Sequence, residues 1–236
     1  MRKAVILAAG KGTRMRDAAG DLPKPMIALA GKPLLEHILD RLREAGFEEA
    51  LIVTGYRAEV IEAHLAEYPM RLVFRRQEKL DGTARAAGLA GEFAGGEAFL
   101  LTFGDIITAA VDYAAMRERL TADAAAVLAV KHVEDPWQGA AVYEEGGVVT
   151  RIVEKPERGT SRTNWNSAGS YVFRAELFDV LDRVAVSPRG EYELTSAIAW
   201  MLSSGRRVVI HALGEAWRDV GRPEDLAAAE AILERD

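Results

Sequence analysis

Along the first half of the chain, continuous apolar runs alternate with segments in which apolar residues recur every three or four positions. The runs at residues 4–9, 50–53 and 98–103 predict buried strands, since a strand covered on both faces needs no polar positions. Residues 70–74, which include Arg71, predict a further strand. The spaced segments predict helices over residues 35–46, 57–65 and 83–89. This alternation predicts right-handed crossovers and a mostly parallel sheet, in which ligands bind at the carboxyl ends of the strands.

The second half has a different pattern, with short apolar segments and few helices between them. Strands are predicted over residues 127–130, 140–143, 148–153 and 171–173, and helices over residues 175–181, 193–202 and 223–233. These strands favour an antiparallel or mixed extension of the same sheet. Because no Pro/Ser-rich linker, low-complexity tract or internal repeat interrupts the chain, we expect one α/β domain over residues 1–236. Its mixed, mostly parallel central sheet would be flanked by helices.

Composition narrows the class of function. The 236 residues are 49% hydrophobic and 28% charged, as in ordinary globular proteins, and the net charge is −6. A duplex-binding protein usually carries a basic face, so we expect no nucleic-acid partner. The absence of cysteine excludes disulfides, thiol nucleophiles and cysteine zinc sites, and it fits the cytoplasmic location that we expect. The apolar run at 4–9 is too short for a membrane span or a secretory signal, so no membrane association is expected.

The loop after the first predicted strand combines glycine with positive charge. In Leu7-Ala8-Ala9-Gly10-Lys11-Gly12-Thr13-Arg14-Met15, the glycines allow the backbone to approach a polyphosphate, while Lys11 and Arg14 supply charge. The dinucleotide-binding pattern fails because it requires glycine at Met15, and the P-loop pattern fails because it requires glycine at Val5. A tight surface turn with two solvated cations is the competing interpretation.

A second segment, Pro23-Lys24-Pro25-Met26, holds one lysine between two prolines, which leaves its ammonium group little conformational freedom. The opening loop followed by this segment closely resembles the signature of sugar-1-phosphate nucleotidylyltransferases. That family converts a nucleoside triphosphate and a sugar 1-phosphate into a nucleoside diphosphate sugar and pyrophosphate, on a Rossmann-like nucleotidyltransferase fold. The resemblance continues in order through Gln77 with Gly82-Thr83-Ala84, Gly104-Asp105, Glu154-Lys155-Pro156, Ser187–Thr195 and Trp217-Arg218-Asp219-Val220-Gly221.

The resemblance implies catalytic, binding and metal-ligating roles for particular residues. The residues implied in catalysis are Arg14, Lys24 and Asp105. Nucleotide contacts are implied for Leu7, Ala8, Ala9, Gly10, Gly12, Thr13, Arg14, Gln77, Gly82 and Thr83. Sugar-phosphate contacts are implied for Gly139, Glu154, Lys155, Asn166 and Ser167. Asp105 and Asp219 are implied as ligands of Mg²⁺, a cation that takes oxygen ligands in proteins.

Two departures from the family pattern concern the choice of sugar and the presence of a second module. Where the family usually has Asn-Ala-Gly, this chain has Ser167-Ala168-Gly169, so that either Ser167 or the neighbouring Asn166 meets the sugar. Many relatives continue into a left-handed β-helix of hexapeptide repeats, and we expect no such module here, since one helix follows Asp219.

The resemblance implies UTP or dTTP and a hexose 1-phosphate, glucose 1-phosphate first, as the substrates, and it is compatible with a homo-oligomer. One alternative is a cytidylyltransferase acting on choline or inositol phosphate, which shares the opening loop. Its relatives generally lack the Gln77 and Gly82-Thr83-Ala84 element and the segment from Trp217 to Gly221 that are present here. The other alternative is a catalytically silent homologue that senses nucleotide sugars, which would keep the fold but lose the phosphate or metal ligands.

Overall fold

The computed structural model describes residues 1–12, 15 and 20–234. Its strands are β1 (Lys3–Leu7), β2 (Ala28–Leu29), β3 (Lys32–Pro33), β4 (Glu49–Thr54), β5 (Arg71–Arg76), β6 (Phe99–Phe103), β7 (Ile106–Thr108), β8 (Ala126–His132), β9 (Ala140–Glu145), β10 (Val148–Glu154), β11 (Trp165–Phe173), β12 (Val208–Ala212) and β13 (Trp217–Asp219). Its α-helices are α1 (Leu34–Glu44), α2 (Ala58–His64), α3 (Thr83–Gly88), α4 (Gly91–Ala94), α5 (Ala110–Arg119), α6 (Leu177–Leu181), α7 (Leu194–Ser203) and α8 (Leu226–Leu233).

One nine-stranded sheet forms the centre of the described chain, in the order β5-β4-β1-β6-β11-β8-β12-β10-β9. The strands β5, β4, β1 and β6 from the first half pair in parallel, as their crossover connections require. From β11 onward the pairs are antiparallel, except that β12 runs parallel to β8. The predicted α/β class and its mixed central sheet are therefore confirmed.

Helices cover both faces of this sheet, which explains the continuous apolar runs in its strands. Along β1, Ala4 and Ile6 pack into one core and Val5 packs into the other, because successive side chains of a strand point to opposite faces. Leu39 of α1 lies in the first core, and Ile198 of α7 lies in the second. The carboxyl ends of the central strands are thus held rigidly by packing on both sides.

A smaller antiparallel pair, β7 with β13, lies outside the large sheet and was not predicted from the hydrophobic pattern. Helix α5 and strand β12 were not predicted either, and β11 begins earlier than expected, at Trp165. The pair of β7 and β13 joins two segments far apart in the sequence, and both carry predicted metal ligands at their ends. Over the described ranges, no helix combines the length and the apolar character needed to span a membrane.

Candidate active site

The opening loop begins at the carboxyl edge of the parallel strands. The Leu7 carbonyl accepts a hydrogen bond from the Gly104 amide at 2.9 Å, and the Ala8 amide donates to the Val53 carbonyl at 2.8 Å. A Cβ added to Gly104 would lie 3.0 Å from the Ala8 Cβ, so the two backbones approach closely. The loop therefore starts between the ends of β4 and β6, the edge at which a parallel sheet binds its ligands.

Gly12 brings this loop against Lys24. Its φ of +59° lies in the left-handed region, and a Cβ at this position would come within 2.6 Å of the Lys24 Cβ. Both facts require glycine, because any side chain would be strained and would also displace the lysine stem. Gly12 thus has a packing role, in addition to the close approach to phosphate expected from the sequence.

Lys24 is presented by a short turn and bonded to a predicted metal ligand. The residue begins a 3₁₀ turn (Lys24–Met26), and its side chain is 9% exposed. Its Nζ donates to Asp105 Oδ2 at 2.5 Å, while the Asp105 side chain keeps 31% of its surface exposed. A buried ammonium group needs such a counter-charge, since an unpaired buried charge is very unfavourable. The contact joins two residues that the sequence implied in catalysis.

The predicted base-contacting residues form a connected group at the start of α3. Gln77 Nε2 donates to the Gly82 carbonyl at 3.2 Å, and Thr83 Oγ1 accepts from the Leu194 amide at 2.9 Å. Gly82 has φ +128°, and a Cβ there would overlap the Tyr192 backbone. Glycine at this point therefore lets the segment before α7 lie directly over the start of α3.

The two predicted metal ligands meet through β7 and β13. Asp219 is opposite Ile106 in this antiparallel pair, and the Val220 amide donates to the Asp105 carbonyl at 2.9 Å. Both aspartates line one cleft of about 640 Å³. The fold thus brings to one wall two carboxylates that are more than a hundred positions apart in the sequence.

The donor set fits a magnesium ion that is shared with a phosphorylated substrate. Two carboxylates supply hard oxygen ligands, and Mg²⁺ is commonly held by one or two carboxylates together with substrate phosphates and water. No cluster of three or more His, Cys, Asp or Glu residues with metal-binding geometry occurs among residues 1–12, 15 and 20–234. A magnesium ion held by Asp105 and Asp219 would take its remaining ligands from phosphate and water oxygens.

Lys155 and Gly139 form a strained corner of the cleft wall. Lys155 follows β10 with φ +40°, an unusual value for a residue other than glycine, and its amide donates to the Gly139 carbonyl at 2.7 Å. A backbone in this region costs about 1–3 kcal/mol and persists only where its surroundings impose it. A Cβ on Gly139 would overlap Asn166 Oδ1, so this corner also depends on glycine.

Glu154, beside this corner, is the centre of a network of charged and polar side chains. The sequence implied no role for the other members of this network. Its carboxylate accepts from Thr195 Oγ1 at 3.0 Å and from Arg189 Nη1 at 3.2 Å. The same guanidinium donates to the buried Glu193 at 3.1 Å. Burial raises the pKa of the Glu154 carboxyl above its ordinary value of 4.5, Glu193 raises it further, and the Thr195 hydrogen bond lowers it.

Arg189, Glu193 and Thr195 therefore belong to the site. The resemblance of Ser187–Thr195 to a family segment was the only sequence signal for them, and it gave no roles.

Both candidates for the sugar-contacting position reach the cleft wall. Asn166 Nδ2 donates to the Ser167 carbonyl at 2.8 Å, and its Oδ1 is buried without a partner among the described atoms. Ser167 Oγ lies 2.9 Å from the hydroxyl of the buried Tyr171, and burial raises the pKa of that phenol. The neutral Tyr171 hydroxyl and Ser167 thus form a polar pair that can meet a hydroxyl-bearing ligand.

The structure brings most of the predicted site residues together. Those lining the cleft are Thr83, Asp105, Gly139, Glu154, Lys155, Asn166, Ser167 and Asp219. Lys24 adjoins it through Asp105, Gln77 and Gly82 adjoin it through Thr83, and the loop Leu7-Ala8-Ala9-Gly10 with Gly12 lies beside Gly104 and Lys24. Thr13 and Arg14 lie outside the described residues.

Comparison with known proteins gives relatives across the whole chain. The UTP–glucose-1-phosphate uridylyltransferase AglF of Haloferax volcanii is 38% identical over 99% of this chain and 97% of its own length. The low-salt glycan biosynthesis nucleotidyltransferase Agl11 of the same organism is 34% identical over 99% of this chain and 66% of its own length. The bifunctional protein GlmU of Methanocaldococcus jannaschii is 34% identical, and the chain spans about half (54%) of its length.

Solved structures show the same fold. A putative glucose-1-phosphate thymidylyltransferase from Bacillus anthracis superposes with a TM-score of 0.87 at 24% identity, covering 99% of this chain and 95% of that one. The inositol-1-phosphate CTP transferase from T. maritima superposes with a TM-score of 0.84 at 21% identity, covering 100% and 96%. The family model described as nucleotidyl transferase matches residues 3–236. This chain therefore belongs to the nucleotidyl transferase family, as the order of its motifs predicted.

Proposed function

We propose that this protein is a sugar-1-phosphate nucleotidylyltransferase, which makes a nucleoside diphosphate sugar and pyrophosphate from UTP or dTTP and glucose 1-phosphate. The observation that carries the proposal is the layout of one cleft. Asp105, Asp219, Glu154 and Lys155 line the same cleft, and Lys24 adjoins it through Asp105. We assign Asp105, Asp219 and Lys24 to its phosphate end, and Glu154 and Lys155 to its sugar end. The relative AglF, 97% of whose length this chain covers, is a UTP–glucose-1-phosphate uridylyltransferase by name, which supports the same pair of substrates.

The reaction needs charge stabilisation rather than a general base. A phosphate oxygen of the sugar 1-phosphate, already ionised near neutral pH, forms a bond to the α-phosphorus of the triphosphate. The bond from that phosphorus to the β-phosphate oxygen breaks, and pyrophosphate leaves with the electron pair. The obstacle is the approach of two polyanions, which fixed cations and prior orientation reduce.

Three cations of this chain are assigned to those tasks. Lys24, exchanging its contact with Asp105 for one with substrate, would hold the α-phosphate as a point charge. Lys155 would hold the incoming sugar phosphate, and Arg14 the departing pyrophosphate. Glu154, whose carboxylate already accepts from Thr195 and Arg189, would accept hydrogen bonds from sugar hydroxyls.

Asp105 and Asp219 would hold Mg²⁺ at the phosphate end. When bound, this ion would neutralise phosphate charge and orient the triphosphate. Without it, the two negative charges that line one cleft repel each other. Asp105 is already relieved of part of this repulsion by the Lys24 ammonium group, so a weak site in the nucleotide-free protein follows.

The fold alone does not separate this proposal from cytidylyl transfer to inositol or choline phosphate, since an inositol-1-phosphate CTP transferase has the same fold. The uridylyltransferase AglF, which is 38% identical and is named for glucose 1-phosphate, favours a sugar phosphate. Retention of Lys24, Asp105, Lys155 and Asp219 argues against a silent sensor. Because the proposed substrates are metabolites of the cytoplasm, we assign the reaction to that compartment.

Pyrophosphate release over a grid of UTP, dTTP, CTP, ATP and GTP against sugar 1-phosphates, inositol phosphate and choline phosphate tests the proposal. We expect UTP or dTTP with glucose 1-phosphate to give the highest kcat/KM. Turnover confined to CTP with inositol or choline phosphate would replace the proposal by the cytidylyl alternative, and no turnover with any pair would favour the sensor.

A further inference from the structure

A buried acid–histidine pair lies outside the cleft, and no step proposed above uses it. Asp112, in the first turn of α5, and His211, on β12, are each 8% exposed. His211 Nε2 lies 2.9 Å from Asp112 Oδ1, and Asp112 Oδ2 accepts from the Gly214 amide at 3.3 Å. One carboxylate oxygen of Asp112 therefore has a partner on β12, and the other has a partner on the segment that follows this strand.

The Gly214 peptide is held from both sides. Lys131 Nζ donates to its carbonyl at 2.6 Å, and the preceding residue, Leu213, donates its amide to the Val130 carbonyl at 2.9 Å. Gly214 lies where the chain leaves the large sheet, just before β13 begins at Trp217. These contacts therefore fix the point from which β13, and Asp219 at its end, extends.

Asp112 also lies close in sequence to β7, the strand that pairs with β13. Strand β7 begins directly after Asp105 and ends at Thr108, and α5 begins at Ala110. Asp112 therefore links the end of β7 that is remote from Asp105 to the end of β13 that is remote from Asp219. At the cleft end, the two strands are joined by the hydrogen bond from the Val220 amide to Asp105.

We propose that Asp112, oriented by His211, is a positioning residue that sets the relative placement of the two metal-binding aspartates. The proposal rests on the proposed function, because it assumes that Asp105 and Asp219 hold a cation. A buried carboxylate is unfavourable unless its oxygens are well paired, and an apolar residue would serve packing alone. A carboxylate at this position can accept hydrogen bonds from Gly214 and His211 together. These bonds join the segment that leads into β13 to α5, the helix that follows β7.

Asp112→Asn tests this with little change of shape. The amide has one oxygen and one donor group, so it cannot offer separate acceptor atoms to Gly214 and His211 as the carboxylate does. We expect Mn²⁺–UTP to bind the variant roughly 10-fold or more weakly, the effect usual for a group that orients metal ligands. The measurement is the enhancement of water proton relaxation by Mn²⁺–UTP, without sugar phosphate and hence without turnover. The Mg²⁺ concentration for half-maximal activity should rise by a similar factor.

Asp40→Asn is the matched control, because Asp40 also accepts from a second element, the Tyr68 hydroxyl at 2.5 Å, but does not line the cleft. We expect it to lower thermal stability and leave Mn²⁺–UTP affinity unchanged. A second pair of variants leaves Asp112 intact. His211→Gln keeps a donor for the carboxylate and should bind Mn²⁺–UTP nearly as wild type does, whereas His211→Leu should weaken binding.

The outcomes distinguish a failure of the positioning role from a failure of the proposed function. If Asp112→Asn and His211→Leu lose stability but bind Mn²⁺–UTP with wild-type affinity, Asp112 is structural and the positioning role is wrong. If Asp40→Asn weakens binding as much as Asp112→Asn, the effect is one of general destabilisation, and the positioning role is again wrong. If the wild-type protein shows no relaxation enhancement with Mn²⁺–UTP and no turnover, the proposed function itself fails.

Discussion

The contact between Lys24 and Asp105 allows a prediction with two readouts that move in opposite directions. In Lys24→Met the side chain keeps its methylene stem, which packs against Gly12, and loses the ammonium group. If that group stabilises charge on the α-phosphate during reaction, kcat/KM should fall by about 100- to 1000-fold, which corresponds to roughly 2.7–4 kcal/mol of transition-state stabilisation. The variant should nevertheless bind Mn²⁺ more tightly than wild type when no nucleotide is present, because the cation competing for Asp105 is gone.

The cost in stability should be moderate. Removing one partner of a fully buried ion pair costs about 3–5 kcal/mol, because the other charge is left unpaired. Here the Asp105 side chain is 31% exposed, so water can replace part of the lost contact. We therefore expect the free energy of unfolding to fall by about 1–2 kcal/mol, between the values for surface and buried pairs.

Steady-state kinetics, Mn²⁺ titration followed by electron paramagnetic resonance, and urea unfolding measure the three effects. Lys32→Met is the matched control, since Lys32 pairs with Asp40 away from the cleft and both side chains are about one third exposed (35% and 30%). It should lose stability and keep its activity. A natively folded Lys24→Met enzyme with kcat/KM near wild type would refute the phosphate role. Unchanged Mn²⁺ affinity would refute competition for Asp105.

The remaining predictions concern the metal ligand, the sugar end and the opening loop. Asp219→Asn should fold normally, lose most pyrophosphate release, and be mimicked by EDTA treatment of the wild type; full activity in EDTA would contradict the metal role. Because burial raises the pKa of Glu154, its carboxylate is protonated as the pH falls from neutral towards 4.5, and KM for glucose 1-phosphate should rise over that range. Glu154→Gln should show a high KM that rises less at low pH, the remaining rise coming from protonation of the sugar phosphate at about pH 6. An unaltered acid limb would exclude Glu154. Gly12→Ala should lower Tm more than Gly10→Ala does, because a Cβ at Gly10 meets nothing within 4 Å. Equal Tm values would contradict the packing of Gly12 on Lys24.

The predictable parts of the fold are those that packing imposes on neighbouring residues. Strand β1 was evident because both of its faces are covered, so that Val5 and Ile6 are buried in different cores. Helix α5 was not evident. Its buried residues include Tyr113 and Met116 at helical spacing, but Val111 is 76% exposed and breaks the apolar stripe. Hydrophobic periodicity does not reveal a helix in which an apolar side chain faces solvent.

The site was predictable where a local segment carries the chemistry, as at Lys24 between its prolines. The sequence did not show what each group contacts. The pairing of Asp219 with the segment after Asp105 depends on two strands of three residues, too short to give a periodic signal. Arg189 contacts Glu154 across 35 positions of sequence, and no spacing rule predicts such a contact.

The central claim is that the protein transfers the nucleotidyl group of a nucleoside triphosphate to a sugar 1-phosphate, through attack at the α-phosphorus. Phosphorus NMR of the purified protein with UTP, glucose 1-phosphate and Mg²⁺ follows every phosphorus atom in that reaction at once. We expect the UTP and glucose 1-phosphate signals to decline together while pyrophosphate and UDP-glucose appear in equal amounts. Release of inorganic phosphate instead of pyrophosphate, or pyrophosphate formed without UDP-glucose, would contradict the account.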